Sequence, residues 1–446
     1  SWSLMAAHNE IGGIPCHASE FLLTEILREK WGFEGIVISD WKDIFELVGY
    51  HRVASDKKDA IRQAVTAGID MHNYGTEFIE PLSELVMEGI ISEERINKPV
   101  RVMLKAKFEL GLFESRYIDE EEAGKFIAND EHTNISLEIA RKTIILLKNE
   151  EDLLPLSNNL NRIFITGPNA DNLSVYGDWV FPQPDKPVTI LDGISMAVNP
   201  KTRVDYYNCG NFRALDEETI RAAAFRAGKA DAAIVVVGGN GIRYLSDENT
   251  LGEQEDRSDI DMPGMQTELL QAIYATGTPV VMILLGGRPL AIPWEAENIP
   301  AIIEAWEPGM MAGHAVADVV FGKVNPGGKL PVTLLRSAGH IQNYYNHKPS
   351  QFFRPYKLTP HEEVFCFGHG LSYTTFTYRN LEYPVKVKSG DKKIRISMTV
   401  TNSGNIAGDE VVQVYVNDLV SSVTQPLKRL VGFKRITLGP GESKKL

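Results

Sequence analysis

The sequence predicts an α/β protein of several domains that ends in an all-β tail. Three observations carry this. At 446 residues the chain is too long for one core, and its length suits two to four domains. Up to about residue 333, short apolar runs alternate with amphipathic helical stretches, the pattern of βα units. From about residue 378 the hydrophobic period drops to two and no helical stretch intervenes.

Residues 20–31 (EFLLTEILREKW) carry apolar side chains at helical spacing, with Ser19 as N-cap. GIVISDW (35–41) follows, a continuous apolar run of the kind that forms a buried parallel strand. Residues 56–68 read as a helix closed by Gly68, and 69–72 (IDMH) as a short strand. A long helix over 92–113 starts at Ser92, with Glu93 and Glu94 in its first turn, despite Pro99 inside it. Repeated βα units here suit a parallel barrel or an open sheet. The polar stretch 114–135 reads as a linker. Four apolar strands then appear at 162–170, 232–241, 279–287 and 300–309, each ending in a Gly- or Pro-rich turn. Helices over 263–277 and 313–322 lie between them, which makes a second α/β sheet. Residues 334–377 carry few periodic signals, and the alternating runs after 378 read as a small β-sandwich.

Composition narrows the function. Hydrophobic content of 43% and charged content of 24% are those of an ordinary globular protein. No apolar run reaches the ~20 residues of a membrane-spanning helix. A net charge of −13 argues against a nucleic-acid surface. The three cysteines, Cys16, Cys209 and Cys366, lie far apart and read as isolated buried thiols, with neither disulfide nor metal spacing. The chain opens at Ser1 without an initiator Met or signal-peptide pattern, and stops at GPGESKKL inside a β pattern. A fragment cut at both ends is the expectation.

Asp40 stands at the tip of the apolar run, where parallel α/β folds place reacting groups. A carboxylate there serves as nucleophile, base, metal ligand or simple helix cap. At this point the sequence resembles the family-three glycoside hydrolases, which include β-glucosidases and β-xylosidases. The segment LMAAHNEIGGIPCHASEFLLTEILREKWGFEGIVISDW is similar to the family's nucleophile segment. KTIILLKNEEDLLPL (142–156) resembles the start of its second domain, and GPNADN, GDW and FGHGLSYTTF follow in the family's order. The period-two tail resembles its fibronectin-type-III-like domain.

The resemblance implies an architecture and a chemistry. Residues 1–113 would be the C-terminal part of a (β/α)8 barrel and 114–135 a linker. Residues 136–333 would form an (α/β)6 sandwich, 334–377 a docking segment, and 378–446 a truncated fibronectin-III-like sandwich. A whole barrel takes ~250 residues, so the family's first-subsite residues, an Asp and a Lys-His pair among them, find no counterpart here. Asp40 would be the nucleophile of a retaining enzyme. Its partner, the acid/base, should stand about 5–5.5 Å away, in a crevice between domains. GEQEDR (252–257) fits the family's pattern for that acid and points to Glu253, with Glu248 in the same acidic loop as runner-up. Nearby carboxylates would favour its protonated form, while Arg257 would oppose that or tie down the loop. Trp41 and Trp179 would wall the sugar site. His8 stands where many relatives have Tyr and either hydrogen-bonds Asp40 or packs in the core. Met71 and His72 either line the pocket or pack structurally.

The implied substrate is a β-linked oligosaccharide or an aryl or alkyl glycoside, cleaved from its non-reducing end. Glucose is the favoured sugar, xylose the alternative, and a non-catalytic carbohydrate-binding relative the contrasting class. No cofactor, metal, nucleic acid or membrane partner is implied. The molecule would be a monomer or homodimer, periplasmic or secreted. GGNGIR (238–243) mimics a dinucleotide loop, but Tyr244 stands where a third glycine belongs and an acidic loop follows. The scattered His8, His17, His51 and His72 lack catalytic-metal spacing, and the basic stretch 98–107 reads as a solvated helix face.

Overall fold

The computed structural model describes residues 2–180, 187–242, 249–349, 356–360, 362–388, 390 and 393–446. The chain forms two compact units, Ser1–Phe126 and Ile127–Leu446.

In the first unit the strand Ser3–Met5 pairs in parallel with Ile36–Ile38, in register from Ser3 opposite Ile36 to Met5 opposite Ile38. The stretch expected as a third strand contributes one parallel bridge, Met71 to Ile38. The reason is local. The Asp70 carboxylate takes the Val37 N–H (2.9 Å) that a regular ladder would give to a backbone carbonyl. Asp70 is itself held by Arg28 and by Arg95 (3.0 Å). The helix after Ser19 spans Phe21–Lys30 and is wound in the wide i→i+5 register; the Ser19 hydroxyl accepts the Leu22 N–H (3.3 Å). Asp56 and Ser92 cap the helices Lys57–Ala67 and Glu93–Glu109, and Gly68 ends the former at φ 130°. Val37, Ile44, Leu47, Ile61 and Ile69 form the core under the strand tips.

The segment expected to be a linker is partly helical. It holds Glu120–Phe126 and the start of Asp130–Thr143. Three glutamates fill the first turn of the former, where the helix dipole favours negative charge.

The second unit is built on a six-stranded sheet in the order Ile145–Asn149, Ala301–Trp306, Val280–Leu285, Ala232–Gly238, Arg162–Thr166, Arg203–Tyr206. All four expected strands are present. Two edge strands join them, and Ile145–Asn149 runs antiparallel to its neighbour, so the sheet is mixed. Alternate residues serve opposite faces. Ile163, Ile165, Ile234, Val236, Val281 and Ile283 belong to one core, and Phe164, Val235, Val237, Val280, Met282 and Leu284 to the other. Burial on both faces is why these strands read as unbroken apolar runs. On the first face the helices Ile190–Ala197 and Ala312–Val320 touch through glycines: a Cβ on Gly193 would stand 2.0 Å from the Gly313 carbonyl oxygen.

The FGHGLSYTTF stretch lies along the antiparallel edge strand. Leu371 N–H donates to Leu146 O (2.8 Å), and His369 Nε2 to Leu147 O (2.8 Å). Tyr373 donates its hydroxyl to Val319 O (2.9 Å), and Thr374 donates to Asn402 Oδ1 (2.7 Å) in the β tail. That tail has a three-stranded sheet (Phe376–Glu382, Ser397–Asn402, Ser443–Lys445) and a two-stranded one (Gly408–Val416, Arg429–Leu438) around Val400, Val412, Ile436 and Leu438. Cys16 and Cys209 are buried as expected, whereas Cys366 is exposed, because it lies in an irregular surface stretch rather than in an element.

Candidate active site

Asp40 follows the buried strand Ile36–Ile38 and sits just before the helix Asp43–Gly49. The strand fixes its backbone, since Ser39 N–H donates to Met71 O (2.8 Å) and the Ser39 hydroxyl accepts from Asn73 N–H (3.0 Å). Its carboxylate is held at both oxygens. Oδ1 accepts the Trp41 N–H (2.5 Å), and Oδ2 lies 3.1 Å from His8 Nε2. Of the two alternatives open for His8, core packing does not fit, since its side chain is 65% exposed and lies against the Asp40 carboxylate. The other His8 nitrogen, Nδ1, lies 2.5 Å from Asp43 Oδ1. The Asp40 N–H donates to His17 Nε2 (3.2 Å), and His17 Nδ1 lies 3.3 Å from Asp43 Oδ2. His17 and Asp43 are both buried, at 2% and 4% exposure. Burial pushes the His17 pKa down to about 4, which leaves its ring neutral. Burial pushes the Asp43 carboxyl up, against the pull of His8.

Trp41 is 60% exposed, with its ring 5.4 Å from that of Tyr74. Met71 is partly exposed beside Ile38. His72 packs between Phe78 (ring centroids 4.9 Å apart, stacked) and Phe45 (5.1 Å), where burial lowers its pKa. It is therefore a packing residue.

In the second unit Glu253 is exposed on the loop that follows the strand Ala232–Gly238. A second loop clasps it. Glu253 N–H donates to Asp178 Oδ2 (2.8 Å), and Trp179 Nε1 donates to Glu253 Oε2 (2.6 Å). Asp178 Oδ1 takes the Trp179 N–H (2.7 Å) at a backbone φ of 54°, which turns the indole back. Arg257 pairs with Asp259 and donates to Asp261 O (2.9 Å), so it anchors the loop. Glu248 lies outside the described residues. The glycines after Ala232–Gly238 form a turn pinned by Thr250, whose hydroxyl accepts Asn240 N–H (2.9 Å). Among the described residues the next helix starts only at Gln266, so no helix N-terminus meets this turn.

Four residues at these places were given no role from the sequence. Asp43 and His17 complete the ring around Asp40, and Asp178 holds Glu253. Glu307 ends the strand Ala301–Trp306, accepts Gly287 N–H (3.1 Å), and has its pKa raised by burial and by the charge of Asp178. The rule that singled out Asp40, a carboxylate just past an apolar strand, also fits Glu307 in IIEAWEPG. Asp178 lies in the GDW motif, but nothing in the local pattern gave it or His17 a role. Among the described residues no group of three or more His, Cys, Asp or Glu side chains is arranged to hold a metal. No helix of the described residues is long and apolar enough to cross a membrane.

Comparison with known proteins gives three family matches. Residues 1–106 match the glycosyl hydrolase family 3 N-terminal domain, 144–373 its C-terminal domain, and 410–446 a fibronectin type III-like domain. A β-xylosidase of Formosa agariphila is 37% identical over 99% of this chain and 62% of its own length. A periplasmic β-glucosidase of Salmonella typhimurium is 34% identical over 100% of this chain and 62% of its own. The structure of a β-glucosidase from Erythrobacter marinus superposes with a TM-score of 0.90 at 33% identity, covering 100% of this chain and 62% of that one. The chain thus spans about 62% of the length of these relatives. Two successive domain matches, together covering most of the sequence, place this chain in glycosyl hydrolase family 3.

Proposed function

We propose that this chain serves a retaining, exo-acting β-glycosidase that removes a terminal β-linked sugar by double displacement. Asp40 is the nucleophile. One of its oxygens attacks the anomeric carbon, the glycosidic bond breaks, and a glycosyl ester forms. Glu253 gives its proton to the departing oxygen and then takes one from the water that hydrolyses the ester. The observation that carries the reading is Asp40 itself, a carboxylate just past a buried parallel strand, with Oδ1 and its own N–H hydrogen-bonded and Oδ2 3.1 Å from His8 Nε2. Trp41 offers an exposed aromatic face beside it, suited to the apolar face of a sugar ring.

Relatives named β-glucosidase and β-xylosidase support glucose as the sugar, with xylose as alternative. Substrates would be β-linked oligosaccharides or aryl and alkyl glycosides. The domain scheme of this reading gives 1–113 to the C-terminal part of a (β/α)8 barrel and 136–333 to an α/β sandwich, with 378–446 as the fibronectin-III-like domain. A periplasmic relative supports placement in the periplasm or outside the cell.

The test is covalent trapping in the whole protein. A 2-fluoro-glucoside with a good leaving group should label one peptide, at Asp40. Asp40→Asn should abolish labelling and lower turnover by about 10⁴-fold or more. A label elsewhere, or retained turnover in Asp40→Asn, rejects the assignment.

A further inference from the structure

We propose that Asp43 is a positioning residue for Asp40, one that acts through His8 by keeping a proton on the imidazole nitrogen facing the nucleophile. The inference rests on the nucleophilic role of Asp40 proposed above. It starts from a proton count. His8 stands between two carboxyl groups, Nε2 at 3.1 Å from Asp40 Oδ2 and Nδ1 at 2.5 Å from Asp43 Oδ1. Each contact needs a proton between its two atoms. A neutral imidazole carries one, so with both carboxyls ionised one contact would set lone pair against lone pair. Two protons along the line satisfy both contacts.

The surroundings say where the second proton resides. His17 Nε2 accepts from Asp40 N–H, so the neutral His17 ring carries its proton on Nδ1. That nitrogen faces Asp43 Oδ2 at 3.3 Å. Oδ2 has no hydrogen bond of good geometry and stays the acceptor-like oxygen. Oδ1 is then the hydroxyl oxygen, and it donates to His8 Nδ1. The His8 proton then resides on Nε2, the nitrogen 3.1 Å from Asp40 Oδ2. Burial supports this by favouring the protonated carboxyl of Asp43. The charged and titratable groups facing Asp43 are His8 and Asp40, His17 from the turn Cys16–Ala18, and His51, which follows the helix of Asp43 and bonds His8 O (3.0 Å). The helix Lys57–Ala67 brings the buried Ala60, Ile61 and Ala64; its Lys57 lies over the Phe45 ring and pairs with Glu77.

The count has a chemical consequence. When Asp40 becomes an ester it loses its charge, and its attraction for the His8 N–H weakens. When the ester is hydrolysed the charge returns to a site where the N–H is already aimed. Loss of the second proton at high pH would turn the Nε2–Oδ2 contact repulsive or break the one to Asp43, and the nucleophile would lose its alignment.

Asp43→Asn tests this, because the amide mimics the protonated acid. Its oxygen suits the His17 N–H, and its NH2 then faces His8 Nδ1 without a titratable proton. The substrate should be 2,4-dinitrophenyl β-glucoside, whose leaving group needs no acid, so that Glu253 does not shape the pH profile. In the whole protein, Asp43→Ala should lower kcat/KM about 10²-fold, with the 2-fluoro-glucoside still labelling Asp40 slowly. Asp43→Asn should recover all but about fivefold of the wild-type value and move the alkaline limb to higher pH. If Asn and Ala lose activity equally, or Asn keeps the wild-type limb, Asp43 acts only in packing and the inference fails. If Asp43→Ala does not fold, the Asn profile alone decides. Failure of the wild type to label at Asp40 would instead reject the nucleophile assignment beneath it.

Discussion

Asp40 and Glu253, the two carboxylates proposed to share one reaction, are held in opposite ways. Asp40 sits two residues beyond a buried strand, its N–H donates to the buried His17, and the buried Asp43 backs both His17 and the exposed His8. Glu253 is exposed on a loop, and its partners Asp178 and Trp179 belong to another loop. The difference fits the two tasks. An attacking oxygen must meet a carbon along one line, and misplacement of an ångström costs about 10²-fold. A proton donor works along a hydrogen bond that the bound substrate can help to align.

The comparison predicts the sharpest contrast at Glu253 itself. Glu253→Ala should slow alkyl glycosides by about 10²–10⁴-fold, yet leave 2,4-dinitrophenyl glycosides nearly as fast in the bond-breaking step. Azide should restore turnover and yield a glycosyl azide of retained configuration. Absence of azide rescue would shift the acid role to Glu248. A smaller effect is expected one bond away. Trp179→Phe keeps the aromatic face but removes the indole N–H from Glu253 Oε2, and should cost about three- to tenfold in kcat for alkyl glycosides, with KM little changed. A KM effect alone would make Trp179 a wall of the binding site and not a clasp.

The last prediction concerns a third carboxyl group, Glu304, fully buried in the sheet and accepting the Trp306 N–H (2.9 Å). Burial raises its pKa from 4.5 to about 8. Below pH 4.5 the folded and unfolded chains both hold this proton. Between 4.5 and 8 only the folded chain holds it, so its contribution to stability falls as pH rises, by a few kcal/mol at most (about 1.4 kcal/mol per pH unit). Glu304→Gln keeps the acceptor and removes the titration. Its melting temperature should exceed that of the wild type more at pH 8 than at pH 5, with activity near the wild-type value. Equal shifts at both pH values would show that Glu304 does not hold a proton in the folded chain.

Much of this was legible in the sequence because the responsible physics is local. The run GIVISDW announces a strand end, and Ser92 and Gly68 announce helix ends by their own chemistry. The edge strand Arg203–Tyr206 was not read, since its half-exposed residues break the apolar run that marks a central strand. Helix Glu120–Phe126 was hidden for a related reason, having no buried face to impose a period. At the Asp40 site, His8 was legible through the resemblance, which sets it where many relatives have Tyr. His17 and Asp43 were not, because their meaning arises only when three separated segments converge on one carboxylate.

The strap of residues 369–374 has one more consequence. An uncovered outer strand is an open template onto which foreign chains can add by backbone pairing. Here Leu371 occupies that side of Ile145–Asn149 at Leu146, and the same few residues run on into the β tail. The tail's attachment therefore doubles as a guard: trimming the molecule before residue 369 would leave this border open, and sticky aggregates would be the expected cost.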